Sequence, residues 1–92
     1  MYIVRVDRLA EKFIAEQDKK LRKRLFAEIQ SLATNPRPAG AIPIKGRKNL
    51  YRVRVGNFRI AYLVKDEELL VLVVRAGHRK EIYEIVRRMT GG

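Results

Sequence analysis

Residues 50–65, LYRVRVGNFRIAYLVK, alternate apolar and polar side chains on both sides of Gly56-Asn57, a pattern that folds as an antiparallel hairpin. Gly at the first position of a two-residue loop suits a type II′ turn. That turn sets the register. With Val55 opposite Phe58, the period of two puts Arg54 opposite Arg59, Val53 opposite Ile60, Arg52 opposite Ala61 and Tyr51 opposite Tyr62. Arg52, Arg54 and Arg59 then share one face with Leu50, Ala61 and Leu63. The other face carries Tyr51, Val53, Val55, Phe58, Ile60, Tyr62 and Val64 and should pack under helices. Like charges opposed on neighbouring strands are destabilising, and neither strand contains an acid. The arginine face therefore reads as a partly apolar basin with a cationic floor, suited to a polyanion such as nucleic acid.

The rest of the composition points the same way. Lys and Arg number 21 against 10 Asp and Glu, a net charge of +11 with a pI near 10.6, and such a field attracts anions. Ninety-two residues suffice for one domain with a single core, expected over residues 1–92. The chain has no cysteine and one histidine, which excludes a disulfide framework, a thiolate metal site and a zinc site built from histidines. No metal and no cofactor are expected. The N-terminal MYIVRVDR is too charged for a signal peptide and no run is long enough to span a membrane, so the expected location is the cytoplasm.

Around the hairpin, alternation over residues 2–6 predicts a short strand ending at Asp7, a residue able to cap a helix that runs to about Gln17. Leu9, Phe13, Ile14 and Gln17 fall toward one side of it. Asp18 offers a second cap, and Leu21, Leu25, Ile29 and Leu32 draw an apolar stripe down a helix ending near Thr34. Lys19, Lys20, Arg22, Lys23 and Arg24 cover its other sides, as a wet surface or a grip on RNA. Asn35-Pro36 stops that helix. Residues 35–49 hold all three prolines and should be mostly loop, with a short edge strand over residues 41–45 where Pro43 can turn its missing N–H to solvent. After a turn at residues 66–68, the apolar run over residues 69–75 reads as a strand buried on both faces at the sheet's centre, with the N-terminal strand at its free edge. A last helix spans residues 79–89, with Ile82, Ile85, Val86 and Met89 on one side. Arg79 and Tyr83, four apart, share a face that overhangs the arginine basin. His78 sits at the turn between them and the strand, as a backbone-bonded turn residue or a proton carrier.

The order of strand, two helices, a loop ending IKG, YRVRVGNFRIAY, an apolar strand and GHRKEIY resembles the RelE/ParE toxin superfamily, over nearly the whole chain and most closely its RelE branch. The resemblance implies a small α+β, microbial-RNase-like fold: an N-terminal strand, an αα-hairpin, a mainly antiparallel sheet and a C-terminal helix. It also implies a ribosome-dependent, metal-independent mRNA endoribonuclease, held inactive by a cognate RelB-like antitoxin with an acidic segment. On this resemblance Arg59 contacts the scissile phosphate, Arg79 stands near the leaving oxygen, Tyr83 is the general base and Lys45 is a further catalytic cation. Arg52, Arg54 and His78 contact the RNA. Lys45 departs from the arginine common at its position and brings a point charge in place of a bidentate fork. His78 stands where some relatives carry lysine. Two other readings fit parts of the pattern: a ParE-like inhibitor of DNA gyrase, and an RNA-binding module without catalysis.

Overall fold

A computed structural model describes residues 1–89 apart from the Met89 side chain, whose expected place on the apolar side of the last helix lies outside the described residues. The elements are β1 (Ile3–Val6), α1 (Arg8–Ala15), α2 (Lys19–Thr34), β2 (Ile42–Pro43), β3 (Leu50–Val55), β4 (Phe58–Lys65), a 3₁₀ turn over Asp66–Glu68, β5 (Leu70–His78) and α3 (Arg79–Met89). The five strands form one sheet in the order β1-β5-β4-β3-β2. β1 runs parallel to β5 and every other neighbouring pair is antiparallel. This is an α+β fold with the N-terminal strand on the free edge of β5. The middle position belongs to β4, the longer hairpin strand, and β5 lies beside it.

Alternation along the hairpin divides the interior into two layers. Beneath α1 and α2, Val53, Val55, Ile60, Tyr62 and Val64 meet Ile14, Leu25, Ile29 and Leu32, with Tyr51 and Phe58 at the margin. On the opposite face Leu50, Ala61 and Val74 gather with Ile44, Leu63, Leu72 and Val86. Val86 comes from α3, so the last helix fills the apolar part of the arginine face and leaves its cations at the rim. The β4–β5 register shifts between Ala61 and Tyr62, which face Arg75 and Val73. Val74 is thus the extra residue of a bulge, and its side chain joins the second layer.

Several expectations change at the first helix. Asp7 occupies the N-cap position, but its side chain makes no capping bond; its carboxylate accepts instead from Arg75 Nη1 at 2.8 Å. Leu9 is 55% exposed and Ala10 is buried with Ile14, because the buried stripe of so short a helix is narrow. Asp18 does cap α2, accepting from the Leu21 N–H at 2.9 Å. The edge strand shrinks to Ile42–Pro43, with Pro43 exposed. β5 begins one residue later than expected because Leu69 closes the 3₁₀ turn at φ 50°.

Candidate active site

The hairpin forms in the register that its alternation predicts: Arg54 faces Arg59, Arg52 faces Ala61 and Tyr51 faces Tyr62. Gly56 has φ +61° while Asn57 is not among the residues with positive φ, which is the type II′ arrangement. The turn also relieves some of the repulsion it creates. Arg54 Nε donates to the Gly56 carbonyl at 3.3 Å, and Arg59 Nη1 donates to the same oxygen at 3.2 Å and to the Phe58 carbonyl at 2.9 Å. Both lone pairs of one backbone acceptor therefore serve two opposed guanidinium groups.

α3 is fastened to the tip of this hairpin. The Arg79 N–H donates to the Asn57 carbonyl at 3.2 Å, and Ile82 is buried. With Ile82 facing inward, Tyr83 is carried out over the hairpin, where the Arg52 guanidinium lies 4.7 Å from its ring centroid. That distance is within cation–π range. A cleft of about 360 Å³ opens here, with Lys45, Arg52, Tyr83 and Arg87 as its polar lining and Ile44 and Ile82 among its apolar walls.

The electrostatics tie the remaining arginines to this point. The Tyr83 phenol is lowered below its ordinary value, first by hydrogen bonding from Arg52 and then by the Arg52 charge; desolvation opposes the shift, and the charges of Arg59 and Arg79 add to it to a lesser extent. Arg59 is lowered as well, by desolvation first and then by the charges of Arg54, Arg79 and Arg52, while Tyr83 opposes the shift. A cation depressed by cations and a phenol acidified by the same cations describe one shared field.

Of the residues singled out from the sequence, Arg52, Arg59, Arg79 and Tyr83 lie within mutual electrostatic reach, and Lys45 shares the cleft with Arg52 and Tyr83. Arg54 stands at the hairpin tip. His78 is not brought to this group: it pairs with Phe58 across the ladder, and its ring lies 4.6 Å from Phe58 and 6.1 Å from Phe13, on the face that packs under α1. Arg87 was not anticipated, although its spacing of four from Tyr83 places both on one side of α3. Among the described residues no group of three or more His, Cys, Asp or Glu side chains could hold a metal ion, and no helix is long and apolar enough to cross a membrane.

Comparison with known proteins agrees with this architecture. The family model for the ParE toxin of type II toxin–antitoxin systems, parDE, matches residues 4–83. A toxin candidate of Methanocaldococcus jannaschii, RelE1, is 34% identical over 59 residues, which is 61% of this chain and 66% of that protein, so the chain spans just under two thirds of that relative. The crystal structure of the isolated E. coli RelE toxin superposes with a TM-score of 0.75 at 26% identity, covering 97% of this chain and 99% of that one. The toxin chain of the RelB–RelE antitoxin–toxin complex from Methanococcus jannaschii gives a TM-score of 0.69 at 28% identity over 87% of this chain and 95% of its own.

Proposed function

The chain belongs to the RelE/ParE superfamily of type II toxins and is RelE-like, and on that premise we propose that it is a ribosome-dependent endoribonuclease that stops translation by cutting mRNA. The observation that carries the reading is the Arg52 guanidinium set 4.7 Å over the Tyr83 ring in a cleft that also holds Lys45. A phenol in that setting loses its proton more readily than a free tyrosine, because the cations favour its phenolate, so more of the base form is present near neutral pH.

The chemistry follows from these groups. The Tyr83 phenolate takes the proton of an RNA 2′-hydroxyl, the 2′-oxygen bonds to the adjacent phosphorus, and the bond from phosphorus to the 5′-oxygen breaks. A 2′,3′-cyclic phosphate and a 5′-hydroxyl remain. Arg59 and Lys45 stabilise the doubly charged phosphorane as it forms, and Arg79 stabilises the leaving 5′-oxygen until water protonates it. Arg52 orients the base and lowers its pKa. On free RNA the reaction is slow, because the ribosome supplies the strand geometry that a shallow cleft does not.

The neutralising partner is an antitoxin with an acidic segment, which a chain of net charge +11 attracts strongly and which covers the cleft or displaces α3. A solved relative is an antitoxin–toxin complex with RelB. The match to a ParE toxin model keeps the ParE-like reading beside it, inhibition of DNA gyrase, which needs no base. Mapping mRNA ends in a translating extract separates the two. Expected are breaks at fixed positions within codons that end in a cyclic or 3′-phosphate and vanish with Arg79→Ala. Intact mRNA together with cleaved gyrase–DNA complexes would select the gyrase reading.

A further inference from the structure

The hairpin tip collects a third guanidinium, from an element outside the cleft. Arg24 of α2 lies against Gly56: its Nη1, Cζ and Nη2 are 3.3, 3.8 and 3.9 Å from the point where a Cβ would stand. Gly56, at φ +61°, thus closes the turn and leaves room for Arg24 over the backbone. Arg54 and Arg59 approach the same residue from β3 and β4 through its carbonyl. Ion pairs among the described residues join Arg37 to Asp66 and Arg75 to Asp7, so none of the three tip arginines has a carboxylate partner. Each guanidinium carries five N–H donors. Arg54 spends one on the turn, which leaves most of the donors at this corner for a ligand.

Cations from three elements around one small residue, with no carboxylate paired to them, attract an anion to this corner. We propose that Arg24 and Arg54, gathered at the Gly56 turn, form a second phosphate seat that holds the RNA backbone beside the phosphate gripped by Arg59. The seat rests on the RNA reading given above and extends it: the strand runs from the cleft over the hairpin tip toward α2. It positions the strand and takes no part in bond breaking, and it reads charge, not base identity.

The test uses a short single-stranded oligonucleotide with 2′-deoxy sugars throughout, which binds but lacks the attacking hydroxyl. Log affinity is measured against log salt for wild type, Arg24→Gln, Arg24→Lys, Arg54→Gln and, as a control on the same helix, Lys23→Gln. Loss of one phosphate contact reduces the slope by about 0.7. Arg24→Gln and Arg54→Gln should each show that reduction and about tenfold weaker binding at low salt, Arg24→Lys should recover the slope, and Lys23→Gln should keep it. Equal effects of Arg24→Gln and Lys23→Gln, or no binding by wild type, would overturn the seat and leave only a diffuse field from α2. The two readings fail separately. An intact slope difference with no breaks in the translating extract removes the nuclease, whereas normal breaks with no slope difference remove only the seat.

Discussion

A free phenol is a poor base near neutral pH, and at Tyr83 the neighbours change that while solvent stays close: the residue is 53% exposed, yet Arg52 and the arginines behind it lower its pKa. Tyr62 shows the opposite environment. It is buried, donates to the Pro36 carbonyl at 2.8 Å, and burial pushes its hydroxyl up to about 12. Tyr2 is raised because its hydroxyl donates to Asp66. An NMR titration of ring-labelled tyrosines should therefore find Tyr83 ionising below about 10, before Tyr2, with Tyr62 last. Arg52→Ala should return Tyr83 toward the ordinary value, and a Tyr83 that ionises together with Tyr2 in wild type would contradict the assigned field. That Arg52, Arg54 and Arg59 share one face was legible in the chain, because alternation along the hairpin dictates it. The side taken by His78 was not, since the apolar run ends at Arg75 whereas β5 continues to His78 and sets that residue opposite Phe58.

At the scale of elements, packing beneath α2 holds the hairpin level. Leu25 is fully buried in that layer, while Leu9, on α1, stands 55% exposed. Leu25→Ala should cost about 2–5 kcal/mol and Leu9→Ala less than about 0.5 kcal/mol, both read from urea midpoints. Similar losses for the two would mean that α1 buries a different stripe. Helix and strand boundaries were largely readable from caps and periodicity, as at Asp18 and at the start of α3. The bulge at Val74 was hidden within an apolar run, because a sequence without alternation does not say which residue is the extra one. Asp7 misled for a related reason. Its spacing to α1 is local, but Arg75, which takes its carboxylate, is a long-range partner that arrives only once β1 pairs with β5.

Across the whole molecule, a polar clasp binds segments that the sheet alone leaves separate. Arg37 from the loop after α2 donates to both Asp66 oxygens at 3.0 and 2.7 Å and to the Tyr51 hydroxyl at 2.9 Å, and the Tyr2 hydroxyl donates to Asp66 at 2.5 Å. These bonds lower the Asp66 carboxyl to about 2 from 3.8. A carboxylate depressed in the folded state stabilises it above its unfolded value and loses that contribution as pH falls through the folded value. Stability should thus drop between about pH 4 and pH 2 more steeply in wild type than in Asp66→Asn, measured by urea midpoints at each pH; parallel curves would show that the clasp carries no linkage. The proline-rich segment that supplies Arg37 reads as mostly loop in the chain and is so, with β2 its one strand; the partners of Arg37 were not legible because they lie far away in sequence. The sheet order was more legible, since a strand apolar on both faces needs a neighbour on each side. The same convergence of distant segments brings cations from the hairpin, the loop and α3 to one tyrosine. The most direct test of that claim is the initial rate of mRNA cleavage in a translating extract for wild type against Tyr83→Phe. Loss of a general base predicts a fall of about 10²–10⁴-fold with ribosome binding retained, and a Tyr83→Phe protein that cuts as fast as wild type would contradict the account.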